Sequence, residues 1–300
     1  MTHSPDGRPH ALHEPVLAWY ADHARDLPWR ADDVSPWGVL VSEVMLQQTP
    51  VARVLPVWRV WMASWPAPAD LAGDSPGDAV RAWGRLGYPR RALRLHGAAT
   101  EIVARHGGRV PADSGALRSL TGVGSYTAAA VAAFAFGRRH AVVDTNVRRV
   151  HARAVTGVAL PAPTLTVGEI ALAESLLPDD EPTSARWGVA VMELGALVCT
   201  ARSPRCADCP IAPRCAWRLA GSPPFDGPAR RGQAWAGTDR QARGALLSVL
   251  REASGAVRRP RLEAVWDDVR QRERCLDSLV ADGLVEPLAD GRFRLPERAL

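Results

Sequence analysis

Two carboxylates and four thiols carry the residue types and spacings that could do chemistry. Glu43 sits in Val39 to Thr49, VLVSEVMLQQT, as the only charged residue of that stretch. A helix there sets Glu43 against Val39, Leu40, Val44, Met45 and Leu46, neighbours that disfavour its charged form and raise its pKa. A general acid working at neutral pH is made that way; the same pattern also fits a surface Glu on the polar stripe of a core helix. Asp144 follows an apolar run at a helix start in Ala141 to Arg149, AVVDTNVRR. An Asp there is an N-cap, held ionised by the helix N-terminus, and an ionised carboxylate can stabilise a developing cation. One protonated and one charged carboxyl form a complementary pair, as in glycoside cleavage. Cys199, Cys206, Cys209 and Cys215 follow C-x6-C-x2-C-x5-C in a loop broken by Pro204, Pro210 and Pro213, so four thiolates can converge on one centre. A structural zinc is the competitor, but zinc ribbons use two C-x2-C knuckles and this loop has one, which favours a [4Fe-4S] cluster. Cys275 reads as a buried core thiol.

The elements that must position these groups are helices. Helical patterns run over Pro15 to His23, Pro36 to Gln48, Gly77 to Arg85, Arg91 to His106, Thr127 to Phe136, Thr145 to Val155, Val167 to Leu177 and Ser184 to Cys199, with Pro and Gly in the gaps. Trp58, Trp61 and Trp65 recur at helical spacing and read as core rather than as stacking platforms for bases. Between two helices, LTGVGSYT (Leu120 to Thr127) carries Gly122 and Gly124. These free the backbone for a tight turn whose N-H groups, with the next helix's positive end, form a phosphate site indifferent to base identity. Alternating strand patterns are nearly absent before residue 220, so the body is all-α. Gly, Pro and Arg dominate 221–237, a linker. Beyond it, 238–300 suggests helices at Arg240 to Ala253, Arg261 to Trp266 and Val269 to Asp282, then a hairpin around Asp290-Gly291, a winged-helix-like module.

Three hundred residues suffice for two or three domains, and no apolar run approaches the roughly 18 residues of a membrane helix. The polar start MTHSPDGRPH reads as a loose tail (1–11), which places the protein in the cytoplasm. All 37 basic residues are Arg, with a net charge of +5. Arg suits phosphate contacts, although genome composition explains the bias equally well. No side chain here can form a Schiff base.

LPWR (Leu27 to Arg30), SEVMLQQT, WGRLGY, LTGVGSYTAAAV, VVDTNVRRV and ELGALVC with its cysteines together resemble the adenine DNA glycosylase family of the helix-hairpin-helix, iron-sulfur glycosylases, from about residue 12 to 217. The resemblance implies an all-α body over 12–220, with a six-helix lobe at about 30–138 and a cluster lobe built from 12–29 and 139–220. It implies that Glu43 protonates a flipped adenine and helps activate water, and that Asp144 stabilises the sugar cation beside Asn146 and Tyr126. Leu46 and Gln48 would wedge into the duplex and Tyr88 would intercalate beside 8-oxoguanine. Arg25, Trp29 and Arg30 would surround the adenine pocket and the opposite strand, while Thr49, Gly122, Gly124 and Ser125 would contact DNA. Unstacking the base costs roughly a few kcal/mol.

The implied partner is double-stranded DNA with an adenine mispaired with 8-oxoguanine or guanine, bound by a monomer with no membrane contact. Bifunctional relatives such as endonuclease III place a Lys where Tyr126 stands, so the expectation is a monofunctional enzyme of base excision repair. Two departures stand out. Val189 occupies a position where relatives carry Glu or Gln to read adenine, and residues 221–300 are too short for the Nudix-like domain common in the family. A mismatch thymine or uracil glycosylase also carries Tyr at the Lys position and is the enzymatic alternative. A non-enzymatic alternative is an iron-sulfur, redox-sensing DNA-binding regulator.

Overall fold

The computed structural model describes residues 10–227 and 235–297. Most of the tail expected at 1–11 and part of the linker expected at 221–237 thus lie outside the described residues. Contacts divide the chain into two units, one of residues 1–39, 112–115 and 124–229, the other of 40–111, 116–123 and 230–300. The division falls inside a helix, between Val39 and Leu40, and inside the glycine turn, between Val123 and Gly124.

The first unit is built on α1 (His13–His23), α8 (Ser125–Phe136), α9 (Thr145–His151), α10 (Val167–Ser175), α11 (Glu181–Leu197) and α12 (Ala216–Leu219). Apolar faces of α1, α9 and α11 close one core through Val16, Trp19, Val147, Val150, Trp187 and Leu194. Helix α9 stops at His151 and continues as a π-helical turn, Ala152–Thr156, short of the α-helix expected to Val155. Gly195 on α11 permits close packing against α9, because a Cβ there would lie 2.6 Å from that of Asn146.

Most of α2 (Pro36–Leu46) lies in the second unit, with α3 (Val51–Ser64), α4 (Pro68–Gly73), α5 (Pro76–Trp83) and α6 (Arg90–His106); α7 (Ser114–Arg118) follows α6. Trp58, Trp61 and Trp65 are all buried, as the stripe implied, and Trp61 packs edge-on against Trp65 and Trp83 at 4.9 and 5.5 Å. Helix α2 ends two residues earlier than the pattern suggests, because Gln48 adopts a left-handed backbone, φ 54°. Helices α4 and α7 are too short to show a period in the sequence.

The C-terminal residues of this unit form α13 (Asp239–Glu252), α14 (Arg259–Glu263) and α15 (Val269–Ala281) with a three-stranded antiparallel sheet, order β1 (Val257–Arg258), β3 (Arg292–Arg294), β2 (Glu286–Pro287). This is winged-helix topology. The hairpin at Asp290-Gly291 lies where the turn signal put it, whereas α14 begins and ends earlier than expected and β1 leaves no alternating pattern. Cys275 is buried, 1% exposed. The module packs on α5. Arg81 Nη1 donates to the carbonyls of Leu250, Arg251 and Ala253 at the C-terminal end of α13, and Arg251 Nε donates to Val80 O at 3.0 Å. Gly77 N donates to Pro296 O at 2.7 Å, and a Cβ on Gly77 would fall 2.6 Å from that oxygen. Many of the module's arginines pair with its own acids, including Arg243 with Asp282, Arg259 with Glu273 and Arg274 with Asp239.

Candidate active site and iron-sulfur centre

In the second unit, Glu43 is 6% exposed, and Leu40, Val41, Ser42 and Met45 around it are fully buried. The sequence reading of a carboxylate carried into an apolar interior therefore fits, and the surface alternative does not. Further along the same chain, Leu46 is half-buried and Gln48 exposed. Thr49, grouped by the sequence with DNA contacts, is instead 6% exposed and accepts a hydrogen bond from Arg91 Nη2 at 3.1 Å. Tyr88 is exposed and, like Gln48, holds a positive φ, 48°. Gly122 has φ 80° and lies so close to Arg94 that a Cβ would meet its Cβ at 2.6 Å.

In the first unit, Gly124 is an extended N-cap of α8 with nothing within 4 Å of where a Cβ would stand, so only Gly122 meets the conformational demand expected of both. Ser125 is exposed at the first turn of α8, and half-buried Tyr126 packs against Ala130, Ala133 and Val142.

Asp144 caps α9. Its carboxylate accepts from Asn146 N at 2.8 Å, Val147 N at 2.7 Å and Asn146 Nδ2 at 2.7 Å. The sequence suggests that capping holds this group ionised. In the structure burial outweighs the donors and raises its pKa above the usual 3.8. Asn146 Oδ1 in turn accepts from Arg149 Nη2 at 2.8 Å, and Arg149 also donates to Gly195 O and Cys199 O, both at 2.6 Å. A continuous hydrogen-bonded path therefore runs from Asp144 to the first cysteine. Asn146 adjoins Asp144 as expected, while Arg149 was invisible as a participant in the sequence.

Glu193 is the other residue the sequence did not single out. It is fully buried on α11, and it accepts from Arg25 Nε and Nη2 at 2.6 and 2.7 Å and from Arg30 Nη2 at 2.9 Å. Trp29 between them is 6% exposed, so its ring lies inside the fold. The two arginines overcome burial and hold Glu193 down at about 2, against an ordinary 4.5. A depressed folded pKa stabilises the fold above the unfolded value and ceases to do so as pH falls through the folded one. Stability contributed by Glu193 is therefore complete above about pH 4.5 and lost toward pH 2. Glu193→Ala is expected to cost roughly 3 kcal/mol by leaving the half-buried Arg25 and Arg30 without their carboxylate, measured by urea denaturation at pH 7. The variant should also lose the parent's added sensitivity between those pH values.

All four cysteines line one cavity, with Ile211 and Arg153. Arg153, in the π-helical turn, donates to Cys199 Sγ at 3.3 Å and Thr200 O at 2.7 Å and stacks over Trp217 at 4.9 Å. Cys215 donates from Sγ to Arg153 O at 3.4 Å. Burial pushes the Cys199 and Cys209 thiols up, Cys209 to about 11. Four soft donors spaced around a cavity, with a cation beside one of them, fit a multinuclear, negatively charged thiolate cluster. Among the described residues no helix is long and apolar enough to cross a membrane.

Comparisons with known proteins converge on these two regions. Residues 41–158 match the HhH-GPD superfamily base excision DNA repair protein family, and 199–215 match the iron-sulfur binding domain of endonuclease III. The adenine DNA glycosylase of Mycobacterium tuberculosis (strain ATCC 25618 / H37Rv) is 55% identical over 96% of this chain and 98% of its own length. The human adenine DNA glycosylase is 41% identical over 67% of this chain and 38% of its own. Among solved structures, a thermostable thymine-DNA glycosylase superposes with a TM-score of 0.62 at 27% identity, over 69% of this chain and 94% of that one. The chain accordingly takes a [4Fe-4S] cluster, and the matched 199–215 segment contains Cys199, Cys206, Cys209 and Cys215. Similarity along nearly the whole of both chains, on a fold and a cysteine loop of this design, makes the chain a member of the adenine DNA glycosylase family.

Proposed function

We propose that this protein is a monofunctional DNA glycosylase of base excision repair that hydrolyses the N-glycosidic bond of adenine mispaired with 8-oxoguanine or guanine in double-stranded DNA. The observation that carries the reaction type is Glu43, a carboxyl 6% exposed inside the apolar helix α2. Glu43 donates a proton to the ring of the extruded adenine, so that the base leaves neutral and the glycosidic electron pair goes with it. Asp144, anionic at the N-terminus of α9, stabilises the positive charge that develops on the sugar. Water then adds to the sugar carbon and gives its proton to Glu43, which restores the acid and leaves an abasic site.

Tyr126 supplies no amine, and the chain contains no Lys, so lysine-dependent strand cleavage has no nucleophile. Leu46 and Gln48 enter the space the base vacates, and exposed Tyr88 stacks beside the opposite base. Gly122 and the Gly124–Ser125 start of α8 take the phosphate backbone. Arg25 and Arg30, ordered by Glu193, line the base pocket, with Glu193 one helical turn from Val189. The cluster supplies charge and shape to the 199–215 loop and no proton or electron to the hydrolysis. The protein works as a monomer in the cytoplasm.

A second reading, a thymine or uracil mismatch glycosylase, is favoured by Val189, which offers no hydrogen bond to an adenine edge. Labelled duplexes decide between them. Adenine is expected to be released opposite 8-oxoguanine and guanine, with strand scission only after alkali. Processing of guanine:thymine but not of adenine duplexes would replace the substrate assignment by the second reading.

A further inference from the structure

The second unit contains three chain reversals that the proposed function gives to DNA: Leu46–Thr49, Gly84–Pro89 and Thr121–Val123. One side chain joins the first two. Arg91, in the first turn of α6, is only 6% exposed. Its Nη1 donates to the carbonyls of Val44 and Met45 at 2.9 and 3.2 Å, in the last turn of α2 where the helix leaves its carbonyls unmet, and to that of Gln47 just beyond the helix at 2.6 Å. Its Nη2 donates to Thr49 Oγ1 at 3.1 Å and Gly87 O at 3.2 Å. The guanidinium also lies 5.3 and 5.2 Å from the ring centres of Trp83 and Tyr88, within cation-π range.

The acceptors of Arg91 flank two strained residues. Gln48 and Tyr88 both hold a positive φ without being Gly, a conformation that persists only where the surroundings hold it. Arg94, one turn further along α6, packs against Gly122 in the third reversal. Among the described residues no carboxylate pairs with Arg91, and burial without such a partner lowers its pKa to about 10. An apolar side chain would fill the site at less desolvation cost. What it could not do is bind both turns at once.

We propose that Arg91 is a positioning residue that holds the Leu46–Gln48 turn and Tyr88 in their duplex-opening conformation before DNA arrives. The inference rests on the proposed roles of Leu46, Gln48 and Tyr88. Opening a base then requires no rebuilding of either turn. Lys cannot substitute, because a point ammonium lacks the planar fork that reaches both sets of acceptors and stacks on the two rings.

The test is stopped-flow fluorescence with 2-aminopurine in place of the adenine, whose emission rises on unstacking. Arg91→Lys is expected to slow that rise by about 10-fold to 100-fold, the range of a misplacement near 1 Å, with iron content and affinity for undamaged duplex unchanged. Thr49→Val, which removes one acceptor and keeps the volume, is expected to slow it in the same direction. The double variant should be no slower than Arg91→Lys alone, since both changes break one network. A wild-type rise in Arg91→Lys, or additive losses in the double variant, would overturn the proposal. If Arg91→Lys fails to fold, Thr49→Val decides by the same rise. If Leu46→Ala and Tyr88→Ala open the duplex at the wild-type rate, the roles given to the turns fail, and the Arg91 inference with them.

Discussion

Glu43→Gln is expected to lower single-turnover adenine release by about 10²-fold to 10⁴-fold, the range that a positioned general acid and base supplies, while duplex binding stays within about twofold. Gln has nearly the same shape and can still hydrogen-bond, but it can neither give a proton to the base nor take one from water. Because Leu40, Val41, Ser42 and Met45 around it are fully buried, the isosteric change leaves the packing of α2 as it is. Melting temperature and iron content are therefore the controls, and both should match the parent. Retention of full turnover would place the general acid elsewhere in the protein and overturn the role given to Glu43.

The second large effect is expected at Asp144, where two substitutions separate charge from capping. Asn is as good an N-cap as Asp, so Asp144→Asn should melt within about 2 °C of the parent yet release adenine about 10²-fold to 10³-fold more slowly. Asp144→Ala removes the cap as well and should lose about 1 kcal/mol of stability, or about 2–4 °C, with at least as large a loss in rate. Part of the Asn effect passes through Asn146. The Asn146 amide donates to Asp144 Oδ2 at 2.7 Å, and an amide at 144 would have to present its oxygen there to keep Arg149 in place.

The pH dependence has a definite sign. Burial raises the pKa of Asp144 above 3.8, so its anion is lost on acidification earlier than for an exposed Asp. The acid limb of activity should lie above pH 3.8 for that reason. A raised folded pKa also means that this carboxyl favours the fold most at low pH and loses that contribution as pH rises through the folded value, the reverse of Glu193. A rate profile flat down to about pH 3 would contradict the assignment of the anion to Asp144.

The candidate chemistry is legible in the chain because its signals are local. Glu43 stands in a contiguous apolar helix, Asp144 at a helix boundary, and Cys199 to Cys215 within one loop, so residue type and spacing along a few turns determine what each can do. The three buried tryptophans and the C-terminal hairpin were legible on the same grounds. The helix ends were not. Helix α2 stops at Leu46 and α9 passes into a π-helical turn where distant partners, Arg91 for one and the cysteine loop for the other, hold the backbone off its local preference.

What tertiary structure alone decided is the set of charged groups that tie distant segments of the chain together. Glu193 meets Arg25 across 168 positions, Arg91 reaches Gln47 across 44, Arg149 reaches Gly195 across 46, and Arg81 ties α5 to the C-terminal module across 172. Each is an Arg or Glu that a periodicity count would put at the surface, since burying a charge is unfavourable until its partners are in position. Those partners are brought together by packing of α1 on α11, α9 on α11 and the module on α5, which no window of sequence contains. The amino-acid sequence by itself pointed to the groups proposed to cleave a glycosidic bond and to hold a cluster. Folding decided which arginines and which glutamate join distant segments, because only long-range packing supplies the partners that make a buried charge stable.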